Sequence, residues 1–124
     1  MYYRYRYMAK SPDHLRGNLP TLILAVLEDA PRHGYAIARE IENLSADALS
    51  YGEGALYPAL KALEQDGFIE GKWDTSGPGA AKKVYDLTPA GSVELSRLRE
   101  AWFAYSRSVE KVLTGKRLAE SPGI

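Results

Sequence analysis

Residues 52–73 read GEGALYPALKALEQDGFIEGKW, and the pattern changes period part-way along. Leu56, Leu60 and Leu63 recur at the spacing of one helix face, with Ala59 and Ala62 between them. Glu53, Tyr57, Lys61 and Glu64 fall on the opposite face. The spacing predicts a helix over 53–65. Asp66-Gly67 then supplies a residue suited to a left-handed helix end, and FIEGKWDT (68–75) opens a strand. A helix therefore runs into a strand through one glycine, leaving a tyrosine and a lysine outward. Pro58 has no N–H for the carbonyl of Gly54, so two readings stand: a helix that starts at Pro58, or a bent first turn that aims Tyr57.

Upstream, NLPTLILAVLEDA (18–30) carries apolar residues at 19, 22, 23, 26 and 27, widened by Leu24 and Ala25. This predicts a central helix with Asn18 as N-cap and Pro20 in its first turn. PRHG (31–34) reads as a breaker. YAIAREIENLS (35–45) predicts a second helix, with Ala38, Ile41 and Leu44 on one face and Arg39, Glu40 and Glu42 outward. ADALSYGEG (46–54) is a connection with turn residues at Ser50, Gly52 and Gly54. Downstream, SGPGAA (76–81) is a flexible turn and KKVYDL (82–87) a second strand, so the two strands form a hairpin. Thr88 and Pro89 open a last helix as N-cap and first residue. Along it Leu95, Leu98, Trp102, Tyr105, Val109 and Val112 alternate at three and four residues. That coiled-coil-like seam lasts about two and a half heptads.

Composition bounds the function. The 124 residues fit one domain and are 45% hydrophobic, enough for a modest core that association would help to complete. Cysteine is absent, which excludes disulfides, thiolate chemistry and cysteine-based zinc sites. The opening MYYRYRYMAK lacks the apolar segment of a signal peptide, and no run approaches a membrane span. The expected location is cytoplasmic, with no membrane partner. Sixteen basic residues balance sixteen acidic ones, so any nucleic-acid footprint must be local. Residues 1–17 carry Arg4, Arg6, Lys10 and Arg16 against Asp13 alone. His14 and His33 are the only histidines, and no nucleophile triad, phosphate-binding glycine loop or metal-spaced cluster appears. The expectation is no enzyme, no metal and no cofactor.

Three helices, a hairpin and a further helix follow the order of a winged helix-turn-helix, a mainly α fold with a small β-hairpin. In that arrangement the third helix enters a DNA major groove. The expected organisation is a basic, tyrosine-rich arm over 1–17, a winged domain over 18–87, a dimerisation helix over 88–114 and a loose tail over 115–124.

HGYAIAREIE, GALYPALKALEQDGFIEGKW and KKVYDLTPAGSVEL together resemble the PadR family of bacterial transcriptional regulators, over residues 15–113. The resemblance implies a homodimeric repressor of a palindromic operator in double-stranded DNA. It also implies a C-terminal helix that exchanges contacts with its partner; some members take small aromatic ligands in the dimer interface and release DNA. The expected DNA contacts are Ser50, Gly54, Tyr57 and Lys61 around the third helix, Lys82 and Lys83 on the wing, and Arg4 and Arg6 in the arm. The expected dimer interface or ligand pocket is Leu95, Leu98, Trp102, Tyr105, Val109 and Val112. The family often has Ser/Thr-Pro-Gly leading into the third helix, whereas this chain has Gly52-Glu53-Gly54, which sets a negative charge near phosphate.

Other readings remain open. The arm is a free terminus, a strap on DNA or a cover for the dimer. Trp102, Phe103 and Tyr105 anchor an interface or wall a cavity. The neutral balance, with Glu53 and Glu64 on the third helix, also suits a protein-interaction adaptor built on the same fold.

Overall fold

The computed structural model describes residues 13–115. The expectations for the arm over residues 1–12, including Arg4 and Arg6, and for the tail after 115 lie outside the described residues, while residues 13–17 belong to the first helix. The elements run α1 (Asp13–Asp29), β1 (Arg32–His33), α2 (Gly34–Leu44), α3 (Glu53–Gln65), β2 (Ile69–Asp74), β3 (Lys82–Leu87) and α4 (Pro89–Thr114). Helix α1 begins at Asp13, not Asn18, so Pro20 sits inside the helix. Leu19, Ile23, Leu24, Val26 and Leu27 of α1 are buried. They meet Ile37 and Ile41 of α2, Leu56, Leu60 and Leu63 of α3, Ile69 and Tyr85 of the sheet, and Leu95 of α4 in one core.

The sheet has three strands, not two, in the order β1-β3-β2. Arg32 pairs with Tyr85 and His33 with Val84, both antiparallel, on the far edge of β3 from β2. Two residues are too short to show an alternation, so the strand hides inside a breaker signal. Arg32 also closes α1: its Nε donates to the Val26 carbonyl at 3.2 Å and its guanidinium pairs with Asp29 at 3.0 Å. A cation at a helix C-terminus satisfies an orphan carbonyl and complements the helix dipole.

On α2, Ile37 and Ile41 are buried, but Leu44 is 72% exposed. The helix ends at Leu44 and the chain turns away through Ala46 and Asp47, both at positive φ. The predicted stripe therefore loses its last member. Helix α3 starts at Glu53 with Gly52 as N-cap, so Pro58 lies within the helix and does not begin it. Its end is a Schellman closure: Gly67 N–H donates to the Glu64 carbonyl and Phe68 N–H to the Leu63 carbonyl, each at 3.0 Å, with Gly67 at φ +80°.

The start of α4 is locked to that closure. Thr88 Oγ1 accepts from Gly91 N–H at 3.0 Å and donates to the Gly67 carbonyl at 2.6 Å, while Thr88 N–H donates to the Phe68 carbonyl at 3.1 Å. Gly91 is buried against the Phe68 carbonyl, where a Cβ would collide with backbone. Arg99 pairs with Glu28 at 3.1 Å and ties α4 to α1. Gly91→Ala should therefore cost about 1–3 kcal/mol of stability by overpacking, read as a lower denaturant midpoint. Thr88→Ala should cost about 1 kcal/mol by loss of the cap.

Candidate nucleic-acid interface

Helix α3 spends its leucine face on the core, so its rotation is fixed and its other face is decided. Tyr57 and Lys61 are exposed, with Tyr57 42% accessible. The Tyr57 ring lies over the first residue of α2: a Cβ on Gly34 would come within 2.9 Å of its Cε1 and hydroxyl oxygen. This glycine clears a berth for the tyrosine, which explains the Gly after His33 better than a turn does.

The sheet meets α3 through the face carrying Lys83, Tyr85, Gly71 and Trp73. Lys83 Nζ donates to Glu64 Oε1 at 3.0 Å. It also stands 5.8 Å from the Trp73 ring centre and 5.6 Å from that of Tyr85. The hydrogen bond that Lys83 donates to Glu64 holds its ammonium above the ordinary lysine value, so it stays charged throughout the neutral range. Burial pushes the Tyr85 phenol up. Lys83 is thus not a wing-tip cation as expected. Strand alternation turns its side chain toward α3, where it finds a carboxylate.

Lys82 points the other way. It is exposed, with its ammonium 5.5 Å from the Tyr35 ring centre, and Tyr35 stacks on His33 at 5.7 Å. His33 Nε2 is 4.0 Å from Asp74 Oδ2, and its Nδ1 is buried with no hydrogen-bond partner. Asp74 is held below the ordinary carboxylate value chiefly by the Ser76 hydroxyl and then by the Ser76 N–H. Lys82 and Lys83 both line a cleft of about 510 Å³ between α3 and the wing, with His33, Tyr35, Tyr57 and Trp73 among its other walls. Trp73 and Tyr35 are 67% and 54% exposed in it. The sequence reading missed Tyr35 and Trp73 as neighbours of Tyr57, because the three come from different elements far apart in the chain. Ser50 Oγ donates to Glu42 at 2.8 Å, so its proton is already used within the chain. Gly54 is exposed with open space around it.

On α4 the seam divides. Leu95 is 1% exposed and belongs to the chain's own core, with Leu98 packed against it. It is not available to a partner, because the first turns of α4 lie on α1. Beyond them Trp102, Phe103, Tyr105 and Val112 are exposed, and Val109 is partly so. The Trp102 and Tyr105 rings are 6.1 Å apart.

Residues 23–97 match the model of the transcriptional regulator PadR-like family. The chain belongs to that family. It is 34% identical over 87 residues to transcriptional regulator Rv3488 of Mycobacterium tuberculosis, covering 70% of this chain and 78% of that one. It is 28% identical over 106 residues to transcriptional regulator YqjI of Escherichia coli, covering 86% of this chain but spanning only 49% of that protein. Its fold matches the crystal structure of a PadR family transcriptional regulator from Eggerthella lenta with a TM-score of 0.70 at 29% identity, over 82% of this chain and 86% of that one. The winged helix-turn-helix is thereby established. PadR-family proteins are DNA-binding transcriptional regulators without catalytic activity, and dimerisation is typical of them. No helix among the described residues is long and apolar enough to cross a membrane.

Gly34→Ala should displace the Tyr57 ring without unfolding the chain, because the atoms it meets end a rotatable side chain. The expected stability change is within about 1 kcal/mol. Aromatic NMR signals of Tyr57 should shift while circular dichroism stays unchanged.

Proposed function

We propose that this PadR-family chain is a homodimeric repressor that reads a palindromic operator in double-stranded DNA from the cytoplasm. One observation carries the reading: α3 buries Leu56, Leu60 and Leu63 and leaves Tyr57 and Lys61 outward beside the wing. A helix so placed enters the major groove, where base edges specify the sequence. Lys82 serves as the wing's phosphate contact, and phosphate contacts position the protein without reading sequence. Two subunits related by a two-fold axis would meet half-sites about one helical turn, or a multiple of it, apart. A dimer seated there represses by occupying the promoter.

The dimer rests on the outer part of α4. Burying side chains such as Trp102 and Val112 is worth roughly 1.5–3 kcal/mol each, before the cost of association. Trp102 and Tyr105 support a second role for that surface, as a wall for a small aromatic ligand that releases the operator, because both rings are exposed and lie side by side, 6.1 Å apart. The adaptor reading gains no support from the surface beside the wing, where Lys61 and Lys82 are both exposed.

Tyr57→Ala and Lys61→Ala should each weaken operator binding by about 1–3 kcal/mol while leaving circular dichroism unchanged. Unaltered affinity in both would remove α3 as the reader. Lys82→Ala should weaken binding to all sequences alike and flatten the salt slope by about 0.9 per subunit. Trp102→Ala should shift sedimentation at micromolar concentration toward monomer and lose operator binding. A mutant that stays dimeric and binds normally excludes Trp102 as an anchor. In a Trp73→Phe background, quenching of Trp102 fluorescence by a planar aromatic compound reports the ligand role.

A further inference from the structure

Glu64 sits on the same face of α3 as Tyr57 and Lys61, an unfavourable sign of charge for a surface that approaches phosphate. Its carboxylate is spent on Lys83, and both side chains are about one-third exposed or less. The berth that holds the pair is built from three elements. Glu64 comes from α3, Lys83 and Tyr85 come from β3, and β2 supplies Trp73 and the gap at Gly71. A Cβ on Gly71 would run into Lys83 Cε, with Lys83 Cδ at 3.3 Å and Glu64 Oε2 at 3.1 Å. The lysine stem therefore crosses β2 only because that position has no side chain. Gly71 has no positive φ, so its role there is space rather than backbone conformation.

Resting on the proposed DNA reading, we infer that Glu64 is a specificity-determining residue: it withholds Lys83 from the DNA backbone and so lowers sequence-independent affinity. A lysine adds to non-specific binding by neutralising a phosphate and releasing a condensed counterion. A lysine already neutralised by a carboxylate 3.0 Å away brings no net charge to the phosphates and releases none. The wing then contributes Lys82 alone of its adjacent pair, and the balance of binding moves toward the base-reading face of α3. Trp73 and Tyr85 add to the hold by flanking the ammonium, so a passing phosphate competes against a carboxylate and two rings together.

The pair can be opened in two chemically different ways. Glu64→Gln removes the carboxylate. Gly71→Ala evicts the lysine stem without any change of formal charge, and it meets only the far ends of flexible side chains. Both variants, with Lys83→Gln and the wild type, are titrated against random-sequence duplex across a salt series. The expected result is a slope of log affinity against log salt steeper by about 0.9 per subunit in both opened variants. Lys83→Gln alone, which bares the Glu64 carboxylate, should not steepen the slope, and adding it to Glu64→Gln should return that slope to the wild-type value.

Labelling with an amine-acylating ester, read by tandem mass spectrometry, reports the pair without DNA. Lys83 should label more slowly than Lys61 in the wild type and catch up in both opened variants. Slopes that stay at the wild-type value, or Lys83 labelling as fast as Lys61 in the wild type, overturn the inference while the DNA reading stands. A wild-type chain that binds no duplex at any salt overturns the DNA reading itself, and the inference with it.

Discussion

The burial of Leu56, Leu60 and Leu63 against α1 is the constraint on which the rest of the molecule depends. These side chains are 6% exposed or less, and leucines spaced by four and three residues allow a helix only one rotation about its axis. Once that rotation is set, the outward direction of Tyr57, Lys61 and Glu64 follows without further choice. Truncating one such leucine would cost about 2–5 kcal/mol, a large part of the stability of a small domain. The face that carries Tyr57 and Lys61 is thus held by the same side chains that hold the fold.

The second organising feature is the junction at residues 67–68 and 88–91. The backbone that ends α3 is also the acceptor set for the N-cap of α4, through Thr88 to Gly67 and to Phe68. Gly91 lets α4 approach that backbone closely. Helices α3 and α4 are consequently joined by a short, hydrogen-bonded link, with the wing looping out between them. Arg99 and Glu28 add a second tie between α4 and the helix beneath it.

Electrostatically the site is sparing. The chain is neutral overall, and one of the two adjacent wing lysines is already neutralised by Glu64. What the cleft offers in quantity is aromatic surface, from Tyr35, Tyr57 and Trp73. Such side chains suit sugar and methyl contacts, which are sensitive to shape and pack without releasing counterions.

The sequence by itself determined the helices, their inner faces and the order that makes a winged helix-turn-helix. It did so because leucine periodicity, the Asp66-Gly67 stop and the Thr88-Pro89 start are local signals, each readable within a few residues. It also located Tyr57 and Lys61 on the outer face, since that follows from the same periodicity. Tertiary structure alone decided the rest. The strand Arg32–His33 exists only because β3 offers it an edge. Leu44 is left bare because its helix ends there, and Leu95 is withdrawn from the α4 seam because α1 covers it. Lys83 changes from a surface cation to a paired one because a residue 19 positions away meets it across the sheet. Periodicity states which way a side chain points from its own element; what it finds there depends on the neighbour that packing brings.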